Sequence, residues 1–115
     1  MQYLLTLYSE ESGWEKMTPE QQKQGVAAYM AYSEALKSAG VLVGSNRLRP
    51  SATATTLRTT DGKTQVLDGP FVDSKEKLGG YFLIEVPDMD AAMAWAGRCP
   101  GVQHGVVEVR AVWSM

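Results

Sequence analysis

The run Tyr81-Phe82-Leu83-Ile84-Glu85-Val86 limits this chain more than any other stretch. Read as a strand from Gly80 to Val86, it carries Phe82, Ile84 and Val86 on one face and Tyr81, Leu83 and Glu85 on the other. A strand that is apolar on both sides belongs in the middle of a sheet, and both faces of that sheet need cover. Gln2 to Tyr8 has the same character, with Tyr3, Leu5 and Leu7 alternating against Leu4, Thr6 and Tyr8. The question is what covers these strands.

Two helices are available. Thr18-Pro19-Glu20-Gln21 is a strong helix start: Thr18 caps, Pro19 suits the first helical position, and Gln21 completes a capping box. An apolar stripe of Val26, Tyr29, Met30 and Leu36 follows, widened by Ala27, Ala28, Ala31, Tyr32 and Ala35, and Gly40 stops the helix. The second helix is capped by Asp88 or Asp90 and runs to about Arg98, with Met89, Ala92, Met93 and Ala96 on one face and Pro100 marking its end. Ser9 to Met17 reads as a polar loop. Val41 to Leu48 reads as a strand ended by Arg49-Pro50. Thr53 to Thr60 and Thr64 to Leu67 form a hairpin around Asp61-Gly62, and Gly105 to Trp113 is the last strand.

The order is strand, helix, strand, inserted hairpin, strand, helix, strand. Without the hairpin it is a split βαβ unit repeated twice, so the expected fold is α+β and ferredoxin-like. Two helices cover only one face of such a sheet. The other face carries Tyr81, Leu83, Val106 and Val112 beside Glu85, Glu108 and Arg110. It is too apolar for water, and a second copy of the sheet would bury it, which predicts a homodimer. The charges among those apolar residues would then line a cleft near the interface.

A chain of 115 residues makes one domain spanning 1–115. Its formal net charge of -2 and its sparse basic cluster (Arg47, Arg49, Arg58) argue against a nucleic-acid partner. The single cysteine, Cys99, excludes an internal disulfide and fits a reducing cytoplasm. No run approaches the ~20 apolar residues of a membrane span. Met1 to Leu7 is too short for a signal peptide. One Cys and one His build no metal motif, and Gly79-Gly80 lacks phosphate-loop spacing, so no cofactor is expected. That glycine pair instead suits a bulge or a close backbone approach.

Asp68-Gly69-Pro70-Phe71 is first of all a turn. Its functional reading makes Asp68 a carboxylate at a cleft, acting as general base or acceptor. Lys75, in the charged run Ser74 to Lys77, is either solvated surface or an anion-binding group. Glu108 and Arg110 share a strand face, and either pair across strands or let Arg110 clamp a substrate carboxylate. Glu85 and Arg47 complete the candidate binding set. His104, the only histidine, has no triad partner nearby in sequence, and Cys99 reads as inert packing.

Asp68-Gly69-Pro70-Phe71, Lys75-Glu76 and Leu78-Gly79-Gly80-Tyr81-Phe82-Leu83-Ile84-Glu85-Val86 together resemble the YCII-related proteins of the DGPF-motif branch. Ala91-Ala92, Trp95-Ala96, Arg98-Cys99-Pro100 and Val107-Glu108-Val109-Arg110 extend the likeness over nearly the whole chain. The resemblance implies a ferredoxin-like fold that dimerises into an α/β barrel. It also implies a small bacterial protein of unassigned role, in some cases linked to extracytoplasmic-function sigma factors. The founding branch has a proposed His-Asp pair, whose acid would correspond to Asp68. This chain has no histidine in its N-terminal half to join it. Two further departures are Val72-Asp73-Ser74, where relatives commonly have Ala-Glu-Thr, and Ala111, where they commonly have Pro. The resulting expectation is cofactor-free acid-base chemistry on a small anionic or carbonyl compound, or else a small-molecule-binding or regulatory module.

Overall fold

Capping, turn and alternation signals set ten elements in a computed structural model that describes residues 1–114. They are β1 (Gln2–Ser9), α1 (Glu11–Glu15), α2 (Pro19–Ser38), β2 (Leu42–Arg47), β3 (Thr55–Thr60), β4 (Lys63–Asp68), β5 (Lys77–Glu85), α3 (Met89–Gly97), α4 (Gly101–His104) and β6 (Val106–Ala111). A 3-10 turn at Ser51–Thr53 leads into β3. Strands β2, β5, β1 and β6 form one sheet in that order, and every neighbouring pair is antiparallel. This is the split βαβ arrangement expected from the element order. β3 and β4 form a separate two-stranded ribbon, turned at Asp61 and Gly62, both of which are left-handed.

The start of α2 follows its sequence signal closely. Gln21 donates its backbone N–H to Thr18 Oγ1 at 3.1 Å, and the Thr18 amide donates to Gln21 Oε1 at 3.0 Å. Two of the orphan donors at the helix start are thereby satisfied. The buried face of α2 differs from the expected stripe. Tyr32 and Leu36 are buried and Tyr29 is half-buried, whereas Val26 and Met30 are exposed. Trp14 packs along the same row, its ring 3.3 Å from where a Gly25 Cβ would sit. Gly25, Tyr29, Tyr32 and Leu36 fall at i, i+4, i+7 and i+11 and share the inward row, which leaves the neighbouring Val26–Met30 row outward. Trp14 belongs to α1, a short helix within the segment expected to be a loop.

The core lies between the helices and one face of the sheet. Tyr3, Leu5, Phe82, Ile84 and Val86 point down from the strands and meet Tyr32, Leu36, Ala92, Ala96 and Cys99. Phe82 meets Tyr32 edge-on at 5.1 Å between ring centroids, and Tyr32 donates its hydroxyl to the Trp95 carbonyl at 2.7 Å. That bond satisfies the polar end of a buried aromatic. Asp88 caps α3 through the Ala91 N–H at 2.9 Å. Met89 and Met93 are exposed, because the small residues Ala92 and Ala96 make the close approach to the sheet. Pro100 closes one helix but also opens the four-residue α4, an element the sequence reading placed in a loop.

Both readings of Gly79-Gly80 hold, one for each residue. β1 pairs Leu7 with Gly80 and Tyr8 with Leu78, so Gly79 is the extra residue of a bulge. A Cβ on Gly80 would sit 2.8 Å from the Asn46 carbonyl oxygen, which is too close for a side chain.

The opposite sheet face has no helix over it. Leu4, Thr6 and Tyr8 of β1 stand there beside Tyr81 and Leu83 of β5 and Val106, Glu108 and Arg110 of β6. The molecule is consequently flat, with extents of 48 × 45 × 18 Å. Its radius of gyration, 16.1 Å, exceeds the about 13 Å of a globular domain of this length.

Candidate functional site

The segment after β4 returns the chain from the hairpin to the sheet. Gly69 anchors it: its N–H donates to the Ala54 carbonyl at 2.7 Å, and its carbonyl accepts from Thr56 Oγ1 at 2.8 Å. Phe71 then lies beneath the Arg58 guanidinium, 5.1 Å from ring centroid to Cζ. The segment therefore stays fixed to the base of the hairpin while it passes in front of the bare sheet face.

Between segment and sheet lies a groove of about 530 Å³. Tyr8, Leu78, Val106 and Glu108 form its sheet side, and Pro70, Phe71, Val72 and Ser74 form the opposite wall. Ser51, Glu76 and Lys77 supply further polar groups. A mostly apolar concavity with a few charged groups is the usual build of a small-molecule site.

Electrostatics tie this groove to α1. Glu11 accepts from the Ser51 N–H at 2.7 Å and from the Ser51 hydroxyl at 2.5 Å. Those two bonds hold its carboxyl below the ordinary value, with a smaller contribution from the nearby Lys77 ammonium. The Lys77 side chain is mostly covered and lies 4.0 Å from Asp73. On the sheet side, Glu108 Oε1 accepts from Arg110 Nη2 at 3.1 Å. Asn46 Nδ2 donates to the Tyr81 hydroxyl at 2.8 Å on the same open face.

Of the five site residues singled out from the sequence, none lines the groove: Arg110 lies beside its wall through Glu108, and Lys75 lies between the lining residues Ser74 and Glu76. Asp68 ends β4 opposite Thr55, is exposed, and does not line the groove. Glu85 pairs with the Met1 amine at 3.3 Å, far along the strand from the groove. Lys75 reaches Glu10 at 3.5 Å. Arg47 stacks over Trp14, 4.7 Å from its centroid, on the helix side of the sheet. The five side chains do not converge on one point. Sequence reasoning passed over Tyr8, Glu11 and Ser51 as site residues, and read Glu76 and Lys77 as part of a charged run. Alternation along β1 does place Tyr8 on the open face, a signal that could have marked it. Among the described residues, no three His, Cys, Asp or Glu side chains are grouped to hold a metal ion. No helix among the described residues is long and apolar enough to cross a membrane.

Deeper in the core, burial pushes the Tyr29 hydroxyl up to about 12, with the neighbouring Cys99 adding to the shift. Burial likewise raises the Cys99 thiol. Neither group faces the groove.

An antiparallel β2-β5-β1-β6 sheet with helices on one face and a groove on the other defines a small split-βαβ domain. The chain belongs to the YCII-related family, whose domain matches residues 1–115. An uncharacterized protein of Rhizobium meliloti (strain 1021) is 34% identical over 96 residues, covering 84% of this chain and 77% of that protein. Among solved structures, the chain resembles 5-chloro-2-hydroxyhydroquinone dehydrochlorinase from Burkholderia phenoliruptrix AC1100, in complex with 2,5-dihydroxybenzoquinone. The TM-score is 0.56 at 17% identity, over 99% of this chain and 94% of the other. At that identity the likeness establishes the shared fold.

Proposed function

We propose that this protein is a cytoplasmic homodimer of the DGPF-motif branch that binds a small hydroxylated or carbonyl compound in the groove and performs cofactor-free proton transfer on it. One observation carries the reading: the groove opens on an uncovered sheet face and holds a carboxylate, Glu108, already paired with Arg110 at 3.1 Å. A second copy laid on that face would close the groove and give the α/β barrel form.

The chemistry follows from these groups. An anionic oxygen of the ligand takes Arg110 as its partner, since guanidinium suits oxyanions well. Glu108 is then released to accept a proton from a C–H or O–H next to the ligand carbonyl. Lys77, at the start of β5 in the groove lining, stabilises the charge that develops on the carbonyl oxygen. Asp68, the acid first favoured from sequence, takes a positioning role at the junction of β4 and the Gly69 anchor. The neighbouring fold's complex with 2,5-dihydroxybenzoquinone supports a ligand of this general class.

Titration of the protein with 2,5-dihydroxybenzoquinone, followed by heteronuclear NMR, tests the reading. Shifts confined to Tyr8, Lys77, Val106 and Glu108 and weakened at least about tenfold by Arg110→Ala are expected, as loss of a charged hydrogen bond implies. Glu108→Gln should keep that binding while slowing proton exchange on the bound ligand. Shifts elsewhere, or none at millimolar ligand, would overturn the assignment.

A further inference from the structure

The hairpin carries apolar surface that this chain does not cover. Leu57 of β3 and Val66 of β4 face each other across the ribbon and are 62% and 63% exposed. They lie on the strand face opposite Arg58, so the Arg58–Phe71 stack does nothing to shield them. Their neighbours on that face are Thr55, Thr59 and Thr64, with Asp68 at one end. Arg58 and Lys63 fall on the other face. The patch is thus neutral at its centre and lacks the basic groups that nucleic acid or an anionic membrane would need.

Three observations identify the occupant as a second copy of this chain. A two-stranded ribbon is marginal in water without something packed on it. The chain exposes 8288 Å². A folded monomer of 12.6 kDa exposes about 6,200 Å². The difference, roughly 2,000 Å², matches what one subunit of an obligate homodimer buries, about 1,000–2,500 Å². The hairpin is also continuous with the bare sheet face. Its base runs through Gly69 into Phe71 and Val72, which wall the groove beside Tyr8 and Val106.

We propose that each hairpin is an arm whose Leu57–Val66 face packs against the other copy, beside the contact between sheets. This rests on the homodimer proposed above and adds the element that clasps it. It also gives the arm a functional reach. The groove wall leads directly from the arm, so docking the arm sets the position of Phe71 and Val72 over the ligand.

Sedimentation equilibrium on the full chain tests the arm and the dimer separately. The wild type is compared with a Leu57→Ser, Val66→Ser double variant and with Leu83→Asp on the open sheet face. The wild type is expected to be dimeric and Leu83→Asp monomeric. The double variant should keep its far-UV circular dichroism, since neither residue enters the core, while its dimer dissociation constant rises at least about a hundredfold. Four truncated anchors per dimer imply a change of that size. Hydrogen exchange gives a second readout on the wild type alone: amides of β3 and β4 should be protected in the dimer and lose protection on dilution. A monomeric wild type overturns both the dimer and the arm. A dimer broken by Leu83→Asp but unaffected by the double variant overturns the arm alone. A wild-type dimer whose hairpin amides exchange as fast as those of the dilute protein does the same, and sends the search for the occupant to another kind of partner.

Discussion

The sheet-and-helix half and the hairpin arm are both built from alternating strands, yet they differ in what holds them. In the first, every apolar side chain on the inner face of β1 and β5 meets a helix: Tyr3, Leu5, Phe82 and Ile84 are buried against α2 and α3. In the second, Leu57, Val66 and Leu67 occupy comparable strand positions and stay exposed. A strand pattern therefore tells which residues share a face but leaves open where the cover comes from. For the inner face it comes from the chain itself. For the arm and the open sheet face, no helix among the described residues supplies it.

If that contrast is sound, mutations of similar chemistry should have very different effects in the two regions. The largest is expected at Leu36, which is fully buried. Leu36→Ala should lower unfolding free energy by about 2–5 kcal/mol in urea titrations. Leu57→Ala, measured at low protein concentration, should change it by less than about 0.5 kcal/mol. Equal losses at both sites would erase the distinction. A middle-sized effect is expected at Thr18, where the capping box closes the start of α2. Thr18→Ala should cost about 1 kcal/mol, seen as a lower urea midpoint, and should leave exchange in the hairpin amides unchanged.

The smallest effect concerns the link between the two regions, the Glu11–Ser51 contact. The Glu11 carboxyl is held below its ordinary value of 4.5 by the Ser51 bonds. A carboxyl lowered in the folded state adds stability that is present above that ordinary value and is lost as pH falls through the lowered one. The urea midpoint of the wild type should exceed that of Glu11→Gln at pH 7, and the gap should close as the pH falls through the lowered value and the carboxylate is protonated. A gap that persists in acid would mean that the contact acts through packing instead of charge.

Much of the fold could be read from short-range chemistry. Thr18-Pro19-Glu20-Gln21 marked the start of α2 because a capping box is complete within four residues. Asp61-Gly62 marked the hairpin because both positions need left-handed backbone. Two both-sided strands and two helices then led to the split βαβ order. What the sequence hid was set over longer distances. Helix α1 has five residues and depends on Glu11 reaching Ser51, forty positions away. The buried stripe of α2 is set by the core that Tyr32 and Leu36 meet on the sheet and α3. The groove brings together Tyr8, Leu78 and Val106 from three strands. The acidic residue in its wall, Glu108, shares a strand face with Arg110, and that pairing was legible. That Asp68 falls outside the groove was not, because it depends on how the Gly69 anchor directs the chain.

Cys99 has a practical consequence. It is the only cysteine in the sequence, it is 2% exposed, and burial raises its thiol. A thiol in that state is a poor nucleophile towards alkylating dyes until the core opens. Its labelling rate is therefore a clock for opening between α3 and the sheet. The clock does not register motion of the arm, so dye kinetics and hydrogen exchange in β3 and β4 would time two separate events in one unmodified molecule.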